Sequence, residues 1–159
     1  MGQVRICLLL FGITVILTSM PIQAGPFDSY PNAWLMILTP YVRLGELRSD
    51  PLDPTLEYFE AEDGLSFIFY TGISQWQLLL SGTDFTSGGE TIPLNQLEWK
   101  RRGGSYRKMR STGHEEVIMS DQDERGNLHL QSLSFRLVLT GAEVPGRYGN
   151  TLTLSMVFP

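Results

Sequence analysis

The sequence is poor in the residues that build disulfides, metal sites and many catalytic centres. Its 159 residues include one cysteine, Cys7, and two histidines, His114 and His129. A single thiol cannot close a disulfide within the chain, and two histidines offer little to a zinc site. The segment 114–118 (HEEVI) begins like a zinc-protease helix, but Ile118 stands where the second histidine belongs. We therefore predict no metal, no cofactor and no enzymatic activity.

The sequence also lacks an apolar run long enough to span a membrane. The longest mainly apolar segment is residues 6–20, ICLLLFGITVILTSM, whereas a helical span needs roughly 20 residues. Arg5 precedes this segment and the small residue Ala24 closes it, which is the pattern of a secretory signal peptide. We predict a signal helix within residues 1–24, removed on export; an uncleaved membrane anchor is the alternative. The protein is then secreted, extracellular or at the cell surface, and free of the membrane after cleavage.

The predicted mature chain, residues 25–159, has 135 residues and no cysteine, enough for one domain with a sizeable core. Arg5 is the only charged residue of the leader, so 11 bases oppose 17 acids and the formal charge is −6. This acidic balance and the leader argue against nucleic acid as a partner.

Alternation of apolar and polar residues dominates the mature chain and predicts half-buried strands. It is clearest over 148–158, while residues 65–70 (LSFIFY) are apolar on nearly both faces and predict a central strand. Pairs such as Pro145-Gly146 mark turns, and no long stretch has helical periodicity. We predict an all-β fold, a two-layer antiparallel β-sandwich of immunoglobulin-like type.

One segment departs from simple alternation. Leu128 and Leu130 would lie on one face of an extended strand, whereas Leu133 and the alternate apolar residues after it would lie on the opposite face. An uninterrupted strand would turn one of these sets to solvent. We therefore expect a bulge or a break at Gln131-Ser132.

The strongest charge pattern is a basic hairpin, residues 100–110, which carries six of the eleven mature bases on either side of Gly103-Gly104. Clustered cations on an acidic protein attract anions locally. We expect these cations to bind anionic polymer while Trp99 and Tyr106, as exposed aromatics, stack on sugar rings; a hairpin neutralised by neighbouring carboxylates is the alternative. The candidate binding residues are Trp76, Leu78, Trp99, Lys100, Arg101, Arg102, Tyr106, Arg107, Lys108 and Arg110.

Two segments resemble a known family. Trp76-Gln77-Leu78 reads W-x-L and is followed by 81–89 (SGTDFTSGG), and 148–156 (YGNTLTLSM) resembles a closing strand. Together they resemble the WxL cell-wall-binding domains of Gram-positive bacteria, although Leu154 and Met156 stand where that family has a second W-x-L. The resemblance implies a β-rich, non-enzymatic surface protein that binds the cell wall. Trp76 is then either a core residue or a ligand contact.

The segment Gly146-Arg147-Tyr148 also resembles the end of secreted pilin-like sandwiches, whose subunits lend an N-terminal strand to a neighbour. Trp34, Met36 and Leu38 would supply such a strand here. We therefore predict a secreted binding module whose partner is cell-wall polymer or another surface protein. The alternative is a self-associating pilin-like or coat subunit that uses an N-terminal donor strand.

Overall fold

The computed structural model describes residues 12–15, 33–72, 74–122 and 127–158. These residues form thirteen strands and a single 3-10 helix, Leu94–Gln96. The strands are β1 (Gly12–Val15), β2 (Ala33–Ile37), β3 (Tyr41–Arg43), β4 (Leu47–Ser49), β5 (Glu57–Thr71), β6 (Gln77–Gly82), β7 (Phe85–Ser87), β8 (Glu90–Ile92), β9 (Leu97–Arg101), β10 (Arg107–Lys108), β11 (Glu116–Ser120), β12 (Leu128–Val138) and β13 (Gly149–Val157).

The strands form two sheets. Sheet A has the order β11–β6–β13–β1–β3, and β7 joins it through β13 and carries β8. Sheet B has the order β10–β9–β12–β5–β2, with β4 paired to β5. Every pairing is antiparallel except that of β1 with β13. The all-β prediction is confirmed, with two sheets arranged as a β-sandwich requires.

The core lies between the sheets and is built from the inward positions of alternating strands. β13 alternates as its sequence predicts, with Leu152 and Leu154 buried. β5 is the predicted central strand, since it pairs with β12 on one side and with β2 on the other. The largest fully buried side chains are Phe67, Phe69, Phe85, Phe135, Leu65, Leu78, Leu80, Ile92, Leu94 and Leu97.

The bulge expected at Gln131-Ser132 was predicted on the wrong strand. β12 runs unbroken from Leu128 to Val138, and the register shift falls opposite it, where two extra residues of β5 lie between Ala61 and Leu65. Because β12 keeps one phase throughout, Leu128 and Leu130 remain 60% and 67% exposed on the outer face of sheet B.

The bulge of β5 is fixed by polar contacts and close packing. Asp63 has a φ of 47°, and its backbone N–H donates to Ser134 Oγ at 2.9 Å. At Gly64 a Cβ would lie 2.7 Å from a methyl carbon of Val42, so glycine lets β3 approach β5 closely. This bulge directs the Asp63 carboxylate towards Ser132, whose hydroxyl donates to it at 2.5 Å.

The predicted leader falls mostly outside the described residues. Its described part, Gly12–Val15, is a strand of sheet A, so the signal helix is not confirmed there. No α-helix in the described ranges has the length and apolar character that a membrane crossing requires.

Candidate functional site

The basic hairpin forms where the sequence predicts it. β9 and β10 pair antiparallel, with Arg107 opposite Trp99 and Lys108 opposite Glu98. The connection turns at Gly103, whose φ of +74° is a conformation that residues with a side chain rarely adopt. The two arms therefore carry their cations along one edge of sheet B.

Acidic side chains already contact several of these cations. Arg102 forms a 2.7 Å ion pair with Asp63. The hydrogen bond from Arg102 is the largest cause of the lowered pKa of Asp63, and the hydrogen bond from the Ser132 hydroxyl is the second. Lys100 Nζ lies 4.0 Å from a carboxylate oxygen of Glu60, and Arg110 Nε lies 4.0 Å from one of Glu116. The positive potential of the hairpin is thus partly neutralised, largely by acids from sheet strands.

The predicted exposure of Trp99 is wrong. Its side chain is only 3% exposed because β9 turns this position towards the core, and its indole N–H donates to Glu116 Oε2 at 2.9 Å. The Arg107 guanidinium lies 5.8 Å from the ring centroid. The Trp99 ring therefore packs beneath the Arg107 guanidinium, on the core side, and cannot offer an open ring face to a sugar.

Tyr106 is half-buried and also fails as an exposed stacking platform. The ring centroid lies 4.4 Å from Lys100 Nζ and 4.4 Å from the guanidinium carbon of Arg136. The hydroxyl donates to Glu60 Oε1 at 2.5 Å. Burial is the largest cause, and this hydrogen bond to a carboxylate the second, that raises the pKa of Tyr106 above its usual value.

Tyr106 belongs to an ionic network on the outer face of sheet B that sequence reasoning missed. Arg136 donates to Glu98 at 2.7 Å, and Arg48 donates to Glu60 at 3.0 Å. The Glu98 and Glu60 side chains are only 11% and 9% exposed. The available signal was alternation: Glu98 and Lys100 flank the inward Trp99 and so had to share the outer face.

Three arginines of the hairpin do converge on one groove. It has a volume of about 350 Å³ and opens between the hairpin and β11. Arg102 and Arg107 are exposed and Arg101 is half-buried. The lining residues are Trp99, Arg101, Arg102, Gly103, Gly104, Ser105, Arg107, Val117 and Ile118. Lys108 is exposed on the second arm but is not among them.

The W-x-L residues are core residues in this structure. Trp76 is 2% exposed and Leu78 fully buried. The indole packs edge-on against Phe69, with ring centroids 5.1 Å apart, and lies 5.6 Å from the ring of His129. His129 is itself only 5% exposed, because its position in β12 faces inward.

A second candidate site is the place of β1 in sheet A, which we call the strand slot. Gly12–Val15 pair parallel with Gly149–Leu152 of β13 and antiparallel with Tyr41–Arg43 of β3. Among the described residues, β3 has no sheet A partner other than β1. Val42 and Leu152, which flank the slot, are both buried. The slot is therefore a position between two strands that a short extended segment fills by backbone pairing.

The expected donor arm is not free in this structure. Ala33–Ile37 is β2, which pairs in register with β5 of its own sheet B. Trp34 and Met36 project from that strand at 46% and 49% exposure, and Leu38, the residue after it, is 46% exposed. Because these residues belong to the fold of their own chain, lending them to a neighbour would cost the chain an edge strand.

Within the described part of the chain, no group of three or more His, Cys, Asp or Glu residues is arranged to hold a metal ion. A scan against protein-family models and a search of the curated proteins both find no match for the sequence.

Proposed function

We propose that this protein is a secreted, non-catalytic surface subunit that joins its partner by accepting an extended segment into the strand slot. The observation that carries the proposal is the pairing of Gly12–Val15 with both β13 and β3. These four residues lie inside the segment that the sequence marks as a signal peptide, residues 1–24.

Cleavage of the leader would open the slot. Adjacent strands lie about 4.8 Å apart, so removing one strand leaves β13 and β3 roughly 10 Å apart. The backbone groups of Gly149–Leu152 and Tyr41–Arg43 that pair with β1 would then lack partners. Unpaired strand edges of this kind bind extended segments, because each backbone hydrogen bond satisfies a group that is otherwise left open.

The slot also selects for the sequence of its occupant. Ile13 is in register with Val42 and Val15 with Leu152, and the side chains of both partners are apolar and buried. An occupant must therefore carry apolar residues at alternate positions.

Chain topology supports an immunoglobulin-like arrangement of the β-sandwich. Going along the chain, β2 is in sheet B, β3 in sheet A, β5 in sheet B and β6 in sheet A. Later connections, such as β11 to β12 and β12 to β13, also pass between the sheets. Repeated crossing between two packed sheets is typical of immunoglobulin-like and pilin-like sandwiches.

The experiment compares residues 25–159 with the full chain, using a synthetic peptide of residues 11–17 (FGITVIL). We expect residues 25–159 to unfold at a lower temperature than the full chain, and the peptide to raise that temperature towards the full-chain value. A control peptide with Ile13→Asp and Val15→Asp should have no effect, because it places charges opposite buried positions. The proposal would be contradicted if residues 25–159 unfold at the full-chain temperature and the peptide does not change it.

A second candidate function is binding of anionic cell-wall polymer at the arginine groove, as the WxL-like resemblance implies. Arg101, Arg102 and Arg107 line one groove, and this convergence supports an anion contact. We expect the protein to co-sediment with purified cell walls at low salt and to be released as salt rises. Arg101→Gln with Arg107→Gln should weaken co-sedimentation, whereas Arg147→Gln, an exposed arginine outside the hairpin, should not. Absence of binding at low salt would exclude this function.

A further inference from the structure

The outer face of sheet B carries an apolar array that neither the strand slot nor the arginine groove uses. Three strands contribute two residues each, and their register aligns them in two rows. Trp34, Tyr70 and Leu128 form the first row, and Met36, Ile68 and Leu130 form the second. We call these six residues the apolar ladder.

The apolar ladder is open to solvent at both of its outer strands. Trp34 and Met36 of β2 are 46% and 49% exposed, and Leu128 and Leu130 of β12 are 60% and 67% exposed. Tyr70 and Ile68 on the central strand are half-buried, and the Tyr70 ring stacks on Trp34 with centroids 6.3 Å apart. Large side chains at outward positions of three adjacent strands make a continuous patch, unlike the scattered apolar residues of an ordinary surface.

The patch has the composition of a protein interface. None of its six residues is charged, and the next row contains Leu38 and the small polar residues Ser66 and Ser132. An apolar centre beside a polar rim is the usual anatomy of such a surface. Without Lys or Arg in the patch, an acidic protein has little attraction for an anionic membrane.

We propose that the apolar ladder is the contact surface of a homodimer, in which two copies pack the outer faces of their B sheets together about a two-fold axis. The area fits this occupant. Four side chains that are about half exposed and two that are less exposed offer on the order of 500 Å² of apolar surface. A standard interface buries about 800 Å² per partner, so the ladder with Leu38 beside it supplies the apolar centre of a small interface. A second copy presents the same uncharged six-residue patch, and two-fold dimers are the commonest closed assembly.

The dimer is independent of the strand slot, because the ladder lies on sheet B and the slot lies in sheet A. It is tested on the full chain, in which Gly12–Val15 fill the slot, so strand exchange does not contribute. We expect sedimentation velocity to show a concentration-dependent dimer with a micromolar Kd, as suits an interface near the lower size limit.

Leu128→Glu with Leu130→Glu should abolish the dimer, because the new carboxylates lose hydration on association and face an apolar partner. Leu128→Thr with Leu130→Thr, which favours strand structure, should raise the Kd at least tenfold and guards against a folding defect. Leu52→Glu is the matched control, since Leu52 is a 96% exposed leucine in a loop away from the ladder.

Two outcomes would overturn the proposal. One is a wild-type chain that stays monomeric up to about 100 μM, far above the expected micromolar Kd, whether or not it binds uncharged vesicles. The other is a dimer that survives both ladder variants. Either result leaves the strand slot untouched, because the peptide experiment on residues 25–159 reports on that site separately.

Discussion

The structure assigns Tyr106 a stabilising role that can be measured directly. Its hydroxyl donates to Glu60, a carboxylate that is only 9% exposed and that also accepts from Arg48. Tyr106→Phe removes this one hydrogen bond and leaves the ring in place. Tyr106→Ala also removes the ring from its position beside Lys100 and Arg136.

The magnitudes follow from these contacts. A hydrogen bond to a charged group contributes about 1.5–3 kcal/mol, and Glu60 keeps its cationic neighbours, so Tyr106→Phe should cost about 1.5 kcal/mol. Each cation–π contact at a partly exposed site adds about 0.5–1 kcal/mol. Together with lost ring burial, Tyr106→Ala should lower the free energy of unfolding by about 3–4 kcal/mol.

Urea unfolding followed by the fluorescence of the buried tryptophans measures both variants. Combining Tyr106→Phe with Glu60→Gln in a double-mutant cycle should give a coupling energy of about 1 kcal/mol. Tyr41→Phe is the control, since Tyr41 is 73% exposed and its hydroxyl should matter by less than about 0.5 kcal/mol. If Tyr106→Phe is as stable as the wild type, the reasoning fails, and the hypothesis that Tyr106 contacts a ligand is open again.

Two further predictions concern the loop after β12 and the core. Burial alone would raise the pKa of Glu143, but hydrogen bonds from Thr140 and Gln96 outweigh this effect and lower that pKa to about 2 from its ordinary 4.5. Because the folded pKa is depressed, the stabilisation is present above the unfolded value and disappears as pH falls from 4.5 to 2. With allowance for solvent screening, Glu143→Gln should cost about 1–2 kcal/mol in urea unfolding at pH 7 and almost nothing at pH 2, and an equal cost at both values would contradict this. Trp76→Ala should cost about 3–5 kcal/mol, measured by far-UV circular dichroism in urea, as truncation of a buried aromatic does; a cost below about 1 kcal/mol would mean that Trp76 is not packed in the core.

The sequence predicted strands well where alternation was simple. β13 and the central part of β5 lie where period-two patterning placed them, and the hairpin around Gly103 forms as its turn residues indicate. These features depend on local chemistry, namely the alternation of side chains along an extended backbone and the conformational freedom of glycine.

The alternation of apolar and polar residues did not by itself reveal which face of a strand packs against the opposite sheet. Leu128 and Leu130 were expected to reach the core through a bulge, yet they lie on the outer face of sheet B. Trp99 was expected outside and lies inside. In each case the deciding fact is the pairing of that strand with strands distant in sequence, which fixes the face that meets the opposite sheet.

The amino-acid sequence by itself therefore determined the all-β class, the place of strands such as β5 and β13 along the chain, and the clustering of cations between residues 100 and 110. Only the tertiary structure decided that Glu60, Asp63 and Glu116 meet those cations, that Gly12–Val15 fill a place between β13 and β3, and that six apolar side chains align across three strands. Alternation is a property of neighbouring residues, whereas ion pairs, slots and surface patches arise from contacts between residues far apart in the chain, which register and packing set together.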